Sequence, residues 1–195
     1  MHRRTFIASM VATASLPAAA QVVRPLRSAS GPTLLTITGA TGKTNRGPLD
    51  PAADVLMAKH KLAFTKAYAL DWASLTALPA KTIEPTLEYD QKPHKLRGPS
   101  LLDVLNLARV HAPESAMLAL RAIDGYAPTL TIGDARKYGF IVATHRDGQP
   151  LGLGGLGPLW AVYDADRFPD RAAKPVSERF ATCPWGLYHI DIATA

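Results

Sequence analysis

Apolar residues along this chain fall into short runs separated by Gly, Pro and charged clusters, and few runs exceed eight positions. Thr33–Gly39 (TLLTITG) is rich in β-formers and stops at glycine, which predicts a first strand. Asp50 precedes Pro51 and a run of Ala, Val, Leu and Met, predicting a capped helix to about His60. Asp71 caps a two-turn helix that ends before Pro79. Thr82–Tyr89 alternates and predicts a strand, with Pro85 marking an edge or bulge. Gly98-Pro99-Ser100 opens an apolar helix over 101–110. Residues 116–123 and 129–132 predict strands around the Asp124-Gly125-Tyr126 turn, a short helix follows Gly133-Asp134, and 139–144 is a further strand. Pro158–Tyr163 reads as a strand entered from a glycine loop, Asp164–Arg179 as a long polar loop, and Trp185–Ile192 as a closing strand. These elements make a β-rich α+β domain with short helices, running from residue 33 to the end of the chain as one unit.

The glycine loop presents two false nucleotide signatures. Gly152–Gly157 matches G-x-G-x-x-G, but Pro158 and a strand follow where the dinucleotide fingerprint requires a helix N-terminus. Gly39–Thr44 resembles a phosphate loop, yet Ile37 stands where its first glycine belongs. Both are set aside. Closely spaced glycines let backbone or ligand approach without a Cβ in the way, so Gly155 and its neighbours form a candidate ligand wall or a plain hairpin connection.

The N-terminus bears on where the protein works. Arg3-Arg4, a mildly apolar stretch from Phe6 to Leu16 and Ala18-Ala19-Ala20 form a cleavable export signal over residues 1–20, followed by a polar leader at 21–32. Arg3-Arg4 before Thr5-Phe6-Ile7 is similar to a twin-arginine signal, with His2 in place of the usual Ser or Thr, and an ordinary export signal fits the same residues. The expected location is the periplasm. Removal of residues 1–20 lowers the formal charge from +6 to +4, because 20 basic residues then face 16 acidic ones. No basic run concentrates that charge, so no nucleic-acid partner is expected. One cysteine excludes an internal disulfide, and six scattered histidines give no zinc spacing. No serine elbow or nucleophile–base grouping is present, so nothing in the residue pattern demands an enzyme.

The order of the pieces carries a resemblance. Leu78-Pro79, a strand, Gly98-Pro99-Ser100-Leu101-Leu102, Asp124-Gly125-Tyr126, Gly148–Leu151, Gly155–Leu159 and a closing Trp185-x-Leu-x-x-Ile follow in series. The series resembles the molybdopterin-binding domain of the sulfite oxidase family, from Thr33 to Ile192. The resemblance implies that family's β-rich fold and a pterin-type cofactor. It also implies three departures. Thr86 stands nearest the family's metal-ligating Cys, Trp160 where an Arg holds the cofactor's anionic tail, and Trp185 where a Lys does so. A hydroxyl is no substitute for a soft thiolate, and indoles stack on flat rings but neutralise no phosphate.

Those changes are similar to what is found in small exported proteins of this fold that bind reduced pterins and report them to a membrane-bound signalling enzyme. The implied ligand is a reduced pterin without metal, and the implied partner is the periplasmic domain of that enzyme. The candidate site is Thr86, Glu88, Asp124, Tyr126, Gly155, Trp160 and Trp185, with Glu88 and Asp124 to accept an amino-pyrimidinone edge bidentately. Each also has a plain structural role available, as a core, turn or surface residue. Two other readings stay open: a molybdopterin oxidoreductase with a non-Cys metal ligand, and a structural relic that binds nothing.

Overall fold

A computed structural model of the protein describes residues 31–193. The expected export signal and most of the leader lie outside the described residues. In chain order the elements are β1 (Thr33–Gly39), α1 (Val55–Lys59), β2 (Tyr68–Asp71), α2 (Trp72–Thr76), β3 (Ala80–Ile83), β4 (Leu96–Pro99), α3 (Leu101–Leu107) and β5 (Met117–Ala122). They continue with β6 (Thr129–Thr131), α4 (Ile132–Lys137), β7 (Ile141–Ala143), β8 (His145–Arg146), β9 (Gln149–Pro150), β10 (Trp160–Val162), α5 (Pro169–Ala172) and β11 (Leu187–Ile192). The strands form a five-stranded sheet ordered β2-β1-β11-β5-β6, a four-stranded sheet ordered β3-β4-β8-β9, and the pair β10-β7. The result is a strand-rich α+β fold with short helices.

β1 pairs with β11 in parallel, and β11 pairs with β5 antiparallel, so Thr36, His189 and Arg121 stand in one row across three strands. The twofold side-chain period then splits the sheet. Leu35, Ile37, Leu118, Leu120, Ile190 and Ile192 point into the main core and are fully buried. Burial of each contributes roughly 1.5–3 kcal/mol relative to exposure. Thr36, Thr38 and His189 lie on the opposite face and are buried too. His189 Nε2 lies 3.0 Å from the Thr38 hydroxyl, which donates to Asp191 at 2.5 Å.

Short helices start where side-chain caps allow them to. Asp71 accepts from the Ser74 amide at 2.8 Å, and Ser100 accepts from the Asp103 amide at 3.1 Å. Thr131 and Asp134 form a reciprocal capping box at α4. The helix expected from Pro51 is shorter: Asp50 closes a turn through Ala52, Ala53 and Asp54, and α1 begins only at Val55.

Two other expectations are corrected. The strand expected over Thr82–Tyr89 ends at Ile83. Pro85 has no N–H to continue a ladder, and residues 85–94 close on themselves instead: His94 N donates to Pro85 O, and Leu87 N to Lys92 O. Leu87 anchors this loop in the core. The Asp164–Arg179 segment is a chain of helical turns rather than an open loop, with 3₁₀ turns at Ala165–Arg167 and Val176–Glu178 flanking α5. The Arg179 guanidinium ties the turns together through Lys174 O, Ala172 O and the Asp166 carboxylate, at 2.7–2.9 Å. Pro169 at the first helical position, with Asp170 beside it, is the sequence signal for that helix.

Candidate functional site

A cleft forms where three connections meet at one end of the five-stranded sheet. The 85–94 loop contributes Glu88 and Tyr89, the β5–β6 turn contributes Asp124 and Tyr126, and the segment entering β11 contributes Phe180, Pro184 and Trp185. Trp185 lies in the wall of two cavities. The smaller, about 200 Å³, is lined by Glu88, Asp124, Tyr126, Phe180 and Cys183 among others, and among the described residues no Lys, Arg or His lines it. The larger, about 530 Å³, is bounded by Tyr89, Ile123, Gly154, Gly155 and Leu156, with Arg146 at its edge. Trp185 and Tyr126 are 38% and 51% exposed, unusually open for aromatics of their size.

The walls are positioned from behind. Asp124 accepts from the Tyr126 amide at 2.9 Å, an Asx turn that sets the loop. The Tyr126 hydroxyl donates to Ala181 O and so ties that turn to the segment before β11. Gly186, at φ +63°, turns the chain out of the cleft into β11, a conformation that favours glycine. Gly157 permits the tightest approach in the glycine loop, since a Cβ there would stand 2.4 Å from Leu151 O. His94 is held between Asp147 at 2.7 Å and Asp90 at 2.8 Å, and Arg146 Nη2 lies 2.8 Å from its Nε2. This network fastens the loop that carries Glu88 and Tyr89 onto the β8–β9 turn.

Electrostatics follow from the same geometry. The carboxylates beside His94, Asp147 foremost, raise its pKa against some desolvation, and His94 in turn lowers those of Asp90 and Asp147. Desolvation, with Glu88 next to it, pushes the Tyr89 phenol up to about 12, although the Trp185 indole N–H pulls the other way. The Cys183 thiol is pushed well above its usual range by burial, so it is neutral.

Of the seven residues expected at the site, Glu88, Asp124, Tyr126 and Trp185 line the smaller cavity, and Gly155 and Trp185 the larger one. Two are elsewhere. Trp160 is 1% exposed, donates its indole N–H to Cys183 O at 2.9 Å and packs beside Phe180. It is a core residue and offers no platform to a ligand. Thr86 lies outside both linings; its amide donates to Asp166 at 2.6 Å, and it pairs with Pro93 across the loop. Tyr89 and Phe180 are lining residues that sequence reasoning passed over. Tyr89 closes the stretch whose alternation predicts a strand, and Phe180 follows a segment whose polarity predicts a loop.

No protein-family model matches the chain, and no curated protein does. Among solved structures it is similar to the sulfane dehydrogenase SoxCD from Paracoccus pantotrophus, with a TM-score of 0.53 and 14% identity. The match covers 82% of this chain and 37% of that one, so this chain spans well under half the neighbour's length. The fold is sulfite-oxidase-like. Likeness at this identity speaks for the fold alone, and a metal-bearing molybdopterin has to be tested against the side chains present. The one thiol, Cys183, is buried in the wall of the smaller cavity, which carries no Lys, Arg or His among the described residues, while Arg146 lines the larger cavity beside it.

Proposed function

We propose that the protein binds a flat amino-pyrimidinone heterocycle, with a reduced pterin as the representative ligand, in the cleft around Trp185. The observation that carries this reading is the meeting of two carboxylates with two open aromatic rings on one cavity free of basic side chains. A pterin presents adjacent N–H donors at one edge and a π face above and below. Glu88 and Asp124 supply acceptors for the edge, and Trp185 supplies a surface for the face. The apolar cavity beyond Trp185 has room for a ring substituent, and its volume lies within the usual range for ligand sites of about 300–1,000 Å³.

In this reading the protein acts after export to the periplasm, without catalysis, and the periplasmic domain of a membrane signalling protein reads its occupancy through the 164–179 segment. That segment reaches the cavity wall at Ser177. Anaerobic titration with tetrahydropterin, followed by tryptophan fluorescence, tests the binding step. Saturation at one equivalent per chain is expected, and the response should vanish in Trp185→Ala. No saturable change in the parent protein overturns the proposal.

The likeness to a sulfane dehydrogenase favours a second reading, a molybdopterin oxidoreductase. Elemental analysis of protein exported from a molybdenum-replete host separates the two. About one molybdenum per chain would establish the second reading and remove the first.

A further inference from the structure

The four-stranded sheet ends at β3, which has β4 on one side and, among the described residues, no strand on the other. Ala80, Lys81 and Thr82 are exposed. Their peptide groups can be assigned by register. Thr82 stands opposite Arg97, and Arg97 O accepts from the Thr144 amide at 2.9 Å, which directs the Arg97 peptide groups away from β3. Thr82 and Arg97 therefore form a non-hydrogen-bonded pair, and Thr82 presents its own N–H and C=O to the open edge.

A groove of about 500 Å³ runs beside that edge. Ile83, Tyr138 and Phe168 give it an apolar side, and Lys81, Lys137 and Arg167 ring it with positive charge. None of these three cations forms a salt bridge among the described residues. The buried carboxylate of Asp164 also lines the groove, and its Oδ1 has no hydrogen-bond partner among them.

We infer that the β3 edge and this groove receive an extended segment of a partner protein, added as a further strand, with acidic side chains on the face it turns to Lys81. Main-chain bonds to Thr82 would supply the pairing, and because Lys81 and Ile83 share one face of β3, the side chains of one parity on the added strand would meet that face, with carboxylates reaching Lys81, Lys137 and Arg167. The 164–183 segment contributes Arg167 and Phe168 to this groove and Ser177 and Phe180 to the cleft, so the two places share one structural element. The inference itself stands on the strand edge and does not depend on the identity of the cleft ligand.

The probe is a capped ten-residue peptide of alternating Glu and Val, compared with a Lys-Val counterpart, in fluorescence anisotropy with the full chain and no pterin present. The Glu-Val peptide is expected to bind at least about tenfold more tightly than the Lys-Val one, the difference shrinking with salt. Thr82→Pro, which removes the outward N–H, and Lys137→Glu, which lies off the ladder, should each weaken binding by about tenfold with little change in melting temperature. If Thr82→Pro fails to fold, Lys137→Glu and hydrogen exchange at the Thr82 amide carry the test. Equal binding of the two peptides, no saturable binding, or an affinity untouched by Lys137→Glu overturns the inference. Since no pterin is present, that failure leaves the cleft reading as it was.

Discussion

Trp160 and Trp185 are joined by a backbone bridge, yet they live in different solvents. Trp160 is enclosed by the core, with its one polar atom satisfied by Cys183 O; Trp185 lies between two cavities with over a third of its surface open. A large aromatic in the first setting contributes to stability, and in the second it is available to a ligand. The cost of removing each therefore falls on a different measurement.

The sharpest test is the pair of alanine variants under denaturant. Trp160→Ala should lower stability by about 3–5 kcal/mol, the range for a large aromatic removed from a packed core. Trp185→Ala should lower it by well under half as much. Similar losses in both would erase the contrast.

His189 extends the enclosed side of the comparison to a titratable group. Burial, with Arg121 nearby and Asp191 acting against both, lowers its pKa from 6.5 to about 4. The unfolded chain thus takes up the proton first. Stability is complete above about pH 6.5 and declines as pH falls towards 4, by roughly 3 kcal/mol if the whole shift is realised. His94 works in the opposite sense: its raised pKa adds stability at low pH, lost as pH rises through the folded value. Urea denaturation at pH 7 and pH 4.5 should show the acid loss, and His189→Gln should flatten it. An unchanged slope in that variant would place the acid loss on other groups.

On the open side, Trp185→Ala should weaken tetrahydropterin binding about tenfold or more, since stacking on an aromatic platform is typically worth roughly 1–3 kcal/mol per ring. Isothermal titration measures it directly. Unchanged affinity would make Trp185 a rim residue and nothing more. The smallest expected signal is in hydrogen exchange over residues 164–179, where bound tetrahydropterin should slow exchange near Ser177 and leave the β11 amides as they were. Identical protection with and without ligand would uncouple the segment from the cleft.

How far the sequence could be read depended on whether a local rule was free to act. β1 has the bounds expected because its β-rich run ends at a glycine that adopts φ +84° beside Ile192. Asp71 and Ser100 mark helix starts because each cap is satisfied within three residues, whereas the helix expected from Gly133-Asp134 begins earlier, at Ile132, because Thr131 caps it. Glu88, Asp124, Tyr126 and Trp185 meet in space, although their elements are far apart in the chain. Trp160 misled because β10 is buried on all three residues, so alternation there says nothing about which side faces a cavity. Thr82–Tyr89 misled because Pro85 ends the ladder and Leu87 is drawn inward by contacts distant in sequence. Tertiary packing decided both.

The position of β11 has a consequence for how the molecule comes into being. It lies in the middle of its sheet, between β1 and β5, yet it is the last of these strands to leave the ribosome. Until then β1 and β5 each present an unsatisfied edge, and the sheet cannot assemble outward from a finished centre. A nascent chain lacking residues 187–192 has two half-sheets with nothing to join them. Loss of this short segment should therefore abolish cooperative folding, whereas a nick in the exposed glycine loop around Leu153 should be tolerated.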